Sequence, residues 1–297
     1  MRKLLWATWG VIKAPFRLIF KVIGFPLRLA QRFVSFLNTE PEERPLTEVF
    51  ADLVANETAR RQMWDQVDAL RSHLLRIVIG LAVGVGVSFY FTQMVIEYLA
   101  VPIGGLEALK AIEVTESVGV FMRVAMLSGI ALASPYVAFE LWWFAAPGLR
   151  SRERKLGLVG IPFATLFFLA GMAFAYFVML PTALPYLVNF MGIQAELRPH
   201  SYFGFVTGIM FWIGIAFEFP LLVYVLTAIG FIRPRVLAQQ WRLAVVIIAL
   251  LSAAITPTVD PVNMALVMVP MTLLYFLSIG LSQIAYAGRR RGAAAAT

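Results

Sequence analysis

The stretch FGFVTGIMFWIGIAFEFPLLVYVLTAI, residues 203–229, decides the fold class of this chain. It holds a single charged residue, Glu218, among 27 positions. A helix of this length is roughly 40 Å long, because each residue adds about 1.5 Å, whereas the hydrocarbon core of a bilayer is about 30 Å thick. The stretch therefore predicts a helix that crosses a membrane.

The whole chain has the composition of a membrane protein. Hydrophobic residues make up 60% and charged residues 14% of its 297 residues, whereas a soluble domain usually carries about 25% charged residues. There is no cysteine, and the two histidines, His73 and His200, are far apart in sequence. We therefore expect no disulfide framework, no metal site and no cofactor, and the sequence has no phosphate-binding loop.

Six apolar runs predict an all-α membrane protein with six transmembrane helices, at residues 77–96, 118–146, 156–180, 203–229, 243–255 and 262–287. The fifth run has only 13 residues, which as a helix cover about 20 Å. We expect this helix to thin the bilayer locally or to pack on a partner.

Lysine and arginine are distributed unevenly between the connections. Eleven, from Arg2 to Arg71, precede the first run, and Arg76 lies at its edge. Clusters follow the second, fourth and sixth runs, at Arg150, Arg152, Arg154, Lys155, Arg233, Arg235, Arg242, Arg289, Arg290 and Arg291. The other side has only Lys110 and Arg198, with Arg123 at a helix end. Because basic connections stay cytoplasmic, we predict a multi-pass protein of the plasma or inner membrane with both termini in the cytoplasm. The same distribution explains the net charge of +8 and argues against nucleic-acid binding.

Outside the apolar runs the chain divides into three segments. Residues 1–39 carry seven basic residues, no acid and interleaved aromatic residues, which predicts an amphipathic extension that lies on the membrane surface and binds anionic lipids. A disordered basic tail is the alternative. Residues 40–73 are rich in acids and predict a cytoplasmic polar segment with a helix that leads into the transmembrane domain, residues 74–287. Residues 288–297 form a basic cytoplasmic tail.

Three glutamates stand where a carboxylate is unexpected. Glu218 lies in the middle of the fourth run, two residues before Pro220. A charge at this depth costs at least about 2.5 kcal/mol. We therefore predict that Glu218 is a docking point for another helix, a proton site or part of an interhelical hydrogen bond. Glu140 is near the end of the second run and either extends to the interface or has a function. Glu153 is the single acid in the basic loop at residues 150–155, and either pairs with its neighbours or selects a cationic ligand.

Several different motifs are spread along about residues 63–284. They are Thr115-Glu116, Arg123, Ser134-Pro135, Trp142 to Leu149, Glu153-Arg154-Lys155, Gly171 to Pro181, Gly214 to Pro220, Thr256 to Pro261, Pro270 and Leu274-Tyr275. The ordered set resembles the TatC family, the multispanning receptor component of the twin-arginine protein translocase. The resemblance implies a concave, cup-like bundle with short fifth and sixth helices and no enzymatic activity.

The resemblance also implies a function. The family binds the twin-arginine signal peptides of folded proteins and assembles with single-span TatA- and TatB-type subunits for export driven by the protonmotive force, and we expect self-association as well. A carrier that couples protons to a small solute, with Glu218 as its binding carboxylate, is the alternative from the residues alone.

The implied signal-peptide site lies on the cytoplasmic side. Phe144 and Glu153 match family positions there, and a carboxylate pairs two N–H groups of a guanidinium in a geometry that lysine lacks. The family glutamate two residues before Arg71 is replaced here by Ala69, so Asp68 or Asp65 would substitute. The predicted signal-binding set is Glu153, Phe144, Arg154, Asp68, Asp65 and Arg71. The predicted intramembrane polar set for partner subunits is Glu218, Pro220, Glu140 and Asp260.

Overall fold

The computed structural model describes residues 57–188, 196–256 and 261–294, together with residues 35, 37 and 38. Within the three long ranges, side chains are described from residue 64 to residue 289. Every regular element there is helical. The α-helices are α1 Glu57–Ser88, α2 Thr92–Ala100, α3 Glu116–Ala145, α4 Ser151–Phe174, α5 Leu180–Val188, α6 Pro199–Ala228, α7 Pro234–Gln239, α8 Trp241–Ile255 and α9 Pro261–Ala294. A π-helical turn, Ala175–Met179, joins α4 to α5 without a break.

Five helical segments of the described chain are long and apolar enough to cross a membrane. They are Trp64–Ser88, Glu116–Gly148, Ser151–Val188, Pro199–Ala228 and Pro261–Arg289. The fifth predicted span is the shorter helix α8, whose 15 residues agree with the short helix expected there.

Two predicted boundaries are wrong. The first span was expected to continue to residue 96, but α1 ends at Ser88 and a separate helix, α2, begins at Thr92. The Ser88 hydroxyl donates to the carbonyl of Ala125 on α3, at 2.7 Å, and this tertiary bond fixes the end of α1. The sixth helix is not short, because α9 has 34 residues and continues to Ala294 into the predicted basic tail.

Helices α3 and α6 form the centre of the bundle. Helix α3 packs against α1, α4 and α6, while α6 also packs against α4 and α9. A Cβ atom added at Gly171 on α4 would lie 2.8 Å from the Cα atom of Gly214 on α6, so these two helices cross at a point where neither has room for a side chain. The main core, which includes Leu99, Leu180 and Phe203, fills the space between α2, α6 and the end of the α4–α5 segment.

The alternation of the helices gives the bundle two ends. The basic end contains the start of α1, the connection between α3 and α4, and the α6–α8 connection. The opposite end contains α2 and the starts of α3 and α6. The Arg289 guanidinium lies against Gly230, which places the end of α9 at the basic end as well.

Candidate functional site

A buried polar network joins α1 to α3 at the basic end. The Nδ1 atom of His73 lies 2.6 Å from Oε2 of Glu140, and the hydroxyl of Tyr136 donates to Oε1 of Glu140 at 2.9 Å. The Arg76 guanidinium is 4.0 Å from the same carboxylate. Glu140 is only 5% exposed, so it forms contacts inside the chain and does not extend to the interface.

Phe144 lies directly beside this network. Its ring meets the imidazole of His73 edge-on, with 5.8 Å between ring centroids and an angle of 64° between the planes. Phe144 is half-buried on the last turn of α3, one turn after Glu140. The contact brings the first half of α1 next to the α3–α4 connection. These are the two parts of the predicted signal-peptide site.

Glu153 lies in the first turn of α4. Its Oε2 atom accepts a hydrogen bond from the backbone N–H of Arg150, at 3.0 Å, which caps the start of the helix. A carboxylate is favoured at this position because the first N–H groups of a helix have no partners within it. In the part of the chain that the structure describes, no lysine, arginine or histidine forms an ion pair with Glu153, and the side chain is half-exposed.

Arg154, the next residue, points the other way. Its side chain is 3% exposed, and its guanidinium donates from Nε to the carbonyl of Ala146 at 2.8 Å and from Nη2 to the carbonyl of Leu149 at 3.0 Å. These carbonyls follow the end of α3, where backbone acceptors lack helical partners. Arg154 therefore holds the α3–α4 connection in shape, and its guanidinium is used inside the protein.

Asp65, Asp68 and Arg71 lie three residues apart on α1 and are exposed. The spacing of three places them along one side of the helix. Among the described residues, neither carboxylate has an ion-pair partner. Both acids therefore remain available to a ligand at the basic end.

Glu218 occupies the middle of α6, and Pro220 is buried beside it. Glu218 is half-buried. Of its neighbours in sequence, Phe217 contacts Phe174 at 5.5 Å between ring centroids, and Phe219 contacts Tyr275 at 6.2 Å. Within the described ranges it accepts no hydrogen bond and forms no ion pair. The expected internal hydrogen bond between helices is thus not formed there. Asp260, the fourth residue of the predicted polar set, lies outside the described residues.

The opposite end has its own ion pair. Nη2 of Arg198, just before α6, lies 2.6 Å from Oε1 of Glu116 at the start of α3, and 3.4 Å from Glu113. Hydrogen bonding to Glu116 raises the pKa of the Arg198 guanidinium above its already high ordinary value, so the side chain stays charged. Glu116 is buried, and the pair fixes the starts of α3 and α6 together.

Comparison with known proteins identifies the family. The family model described as Sec-independent protein translocase protein (TatC) matches residues 65–270. The chain belongs to the TatC family. It is accordingly a multi-pass membrane protein and a component of a protein translocase, not an enzyme.

Relatives of the TatC family cover most of this chain. A Sec-independent protein translocase protein TatC of Deinococcus radiodurans is 36% identical over 237 residues, which are 77% of this chain and 88% of the relative. The TatCy protein of Bacillus subtilis is 30% identical over 235 residues, which are 78% and 92% of the two chains. A crystal structure described as twin arginine translocase receptor TatC superposes with a TM-score of 0.66 at 32% identity, covering 74% of this chain and 99% of that one.

Three members of the buried network were not predicted as site residues from the sequence: His73, Arg76 and Tyr136. His73 lies just before the first apolar run and Glu140 near the end of the second, so the predicted topology puts both at the same membrane boundary. The presence of two titratable residues at the same membrane boundary is the feature of the sequence that indicates the pair.

Proposed function

We propose that this chain is the receptor component of a twin-arginine translocation system. It would bind the signal peptides of folded proteins at the basic end, in the cytoplasm, and assemble with single-span TatA- and TatB-type subunits in the plasma or inner membrane, with both termini cytoplasmic. The protonmotive force would drive export.

One observation carries the proposal for this chain. The ring contact between His73 and Phe144 brings the exposed acids of α1 to the same end of the same helix pair as Glu153. One ligand would thus contact Asp65 and Asp68 on α1 together with Glu153 on α4, three carboxylates without ion-pair partners in the described structure, within a surface that is otherwise basic. A pair of adjacent guanidinium groups is a ligand that fits this arrangement, because each carboxylate oxygen pair can accept two parallel N–H bonds from one arginine.

Glu218 supports the second part of the proposal. A carboxylate that lies at the centre of an apolar helix and has no partner in the described structure is costly unless something outside the chain covers it. A polar group on a single-span helix of a partner subunit would supply the missing hydrogen bond.

The deciding experiment is export of a folded reporter protein in cells that lack their own receptor of this family but contain the single-span subunits. The reporter carries a signal peptide with either Arg-Arg or Lys-Lys. We expect export only with Arg-Arg. Equal export of the two reporters would favour the alternative of a proton-coupled carrier that uses Glu218. The same holds if neither reporter is exported although the protein is correctly inserted in the membrane.

A further inference from the structure

The segment that precedes α1 contacts the α3–α4 connection. Residues 35, 37 and 38 are helical and belong to the basic extension, residues 1–39. The side chain of Leu37 is 8% exposed and is buried against Trp142 and Ala146. The hydroxyl of Ser151 donates to the carbonyl of Leu37 at 2.7 Å, across 114 positions of sequence.

Among the described residues, those that surround Leu37 belong to α3, α4 and their connection. The indole N–H of Trp142 donates to the carbonyl of Arg154 at 3.0 Å, which fixes the ring on α4. A Cβ atom added at Gly157 would lie 2.6 Å from that ring, so the indole occupies the space of a missing side chain. Phe139 and Leu158 pack around the same cluster. The α3–α4 connection thus presents a formed apolar pocket with one hydroxyl donor at its edge.

This pocket adjoins the proposed signal-peptide surface. Ser151 is two residues before Glu153 in the first turn of α4, and Ala146 is two residues after Phe144. Leu37 therefore contacts the same connection that carries Phe144 and Glu153, the two residues that match the family's signal-binding positions. The family model begins at residue 65, so the segment that fills the pocket lies outside the part of the chain that the family shares.

The extension also has the chemistry of the ligand assigned to this surface. Arginines at positions 28 and 32 precede the apolar residues Phe33 and Leu37, and no acid occurs before Glu40. A basic segment followed by apolar residues is the kind of peptide that the carboxylates and the apolar pocket would both accept.

We propose that the segment carrying Leu37 is a tethered competitor, which lies against the edge of the signal-peptide surface and must leave before a signal peptide binds fully. The inference rests on the proposed function of that surface. A tethered segment needs little affinity, since its effective concentration is on the order of millimolar. In the described part of the segment, the contact includes the Leu37 side chain and the hydrogen bond from Ser151 to the Leu37 carbonyl, which an incoming peptide can replace.

The test uses the full chain in lipid nanodiscs and a fluorescent synthetic signal peptide with Arg-Arg, alongside its Lys-Lys version. The variant Leu37→Asp places a charge in the pocket and should release the segment. The matched control is Asn38→Asp, because Asn38 is the exposed neighbour of Leu37. If the contact is closed about nine times in ten, Leu37→Asp raises the apparent affinity for the Arg-Arg peptide about tenfold, and Asn38→Asp leaves it unchanged.

A crosslinking arm measures the contact itself. The chain has no cysteine, so Asn38→Cys with Arg152→Cys introduces the only two thiols, both at exposed positions beside the contact. We expect a short thiol crosslinker to join them, and we expect the Arg-Arg peptide or the added Leu37→Asp change to reduce the product.

The outcomes separate the two proposals. The competitor proposal is overturned if binding is specific for Arg-Arg but Leu37→Asp leaves the affinity unchanged or weakens it. The segment would then be neutral or part of the receptor surface. Crosslinking that the bound peptide leaves unchanged overturns it as well. The proposed function is overturned if every variant binds the Arg-Arg and Lys-Lys peptides equally well. The competitor proposal then fails with it, even where the crosslink forms.

Discussion

His73 and Glu140 form a hydrogen bond of 2.6 Å that joins α1 to α3 at the basic end of the bundle. Both side chains are nearly buried, with 11% and 7% of their side-chain surface exposed. A carboxylate buried this far needs its partners, because an unpaired one retains the full cost of leaving water. The bond also holds the imidazole against which Phe144 packs, so it links the stability of the helix pair to the shape of the proposed signal-peptide surface.

Breaking this pair should destabilise the protein in a non-additive way. We expect His73→Ala and Glu140→Ala each to lower the free energy of unfolding by about 1.5–3 kcal/mol, the usual worth of a hydrogen bond to a charged group. The double variant should lose clearly less than the sum, because each single change already removes the shared bond. Thermal unfolding of the full chain in detergent measures the effect, with the exposed Glu97→Ala as the control. Strict additivity would show that the two side chains do not interact.

Glu153 has two roles that one substitution can separate. Glu153→Gln keeps an oxygen that accepts the Arg150 N–H bond but removes the charge that would pair with a guanidinium. We therefore expect unchanged thermal stability and about ten- to hundredfold weaker binding of an Arg-Arg signal peptide, which corresponds to a loss of about 1.5–3 kcal/mol. The exposed Glu107→Gln, at the opposite end, is the control. Full-strength crosslinking of the Glu153→Gln variant to that peptide would refute the role of the carboxylate in recognition.

Glu218 and Glu116 should respond in opposite ways to the same change. Glu218→Gln removes a mid-membrane charge that has no partner within the described chain, so stability should stay the same or rise, whereas copurification of the single-span subunits should fall several-fold. Glu116→Gln removes the negative charge that pairs with the Arg198 guanidinium at 2.6 Å and should lower stability instead. Thermal unfolding and copurification of both variants provide the comparison. Unchanged copurification with Glu218→Gln would remove this carboxylate from the partner site.

The sequence was sufficient for features that depend on local composition. The charge at Glu218 stands out because every neighbour on α6 is apolar, and the loop acid Glu153 stands out because its neighbours are basic. Both are found in the described structure without ion-pair partners. The short helix α8 was likewise predictable, since its 15 residues are close in number to the 13 of the apolar run.

Features that depend on tertiary contacts were not predictable in the same way. Ser88 ends α1 through a bond to Ala125, 37 residues away, and no proline or other helix breaker marks that position. Glu153 and Arg154 are adjacent and both charged, yet one is half-exposed and the other buried, because consecutive residues on a helix point about 100° apart and only one faces the end of α3. The contact of Leu37 with Ser151 joins two segments whose separate patterns do not indicate each other.

The buried guanidinium of Arg154 leads to the last prediction. Two of its hydrogen bonds go to the carbonyls of Ala146 and Leu149 in a fork that a lysine ammonium does not reproduce. We expect Arg154→Lys to lower stability by about 1–2 kcal/mol and to weaken Arg-Arg peptide binding at the same time, because the connection that carries Phe144 and Glu153 loses its shape. Arg152→Lys is the matched control, since it makes the same change on the exposed neighbour and should leave stability intact. Weaker peptide binding by Arg154→Lys with wild-type thermal stability would mean that this guanidinium touches the peptide directly and does not act by shaping the connection.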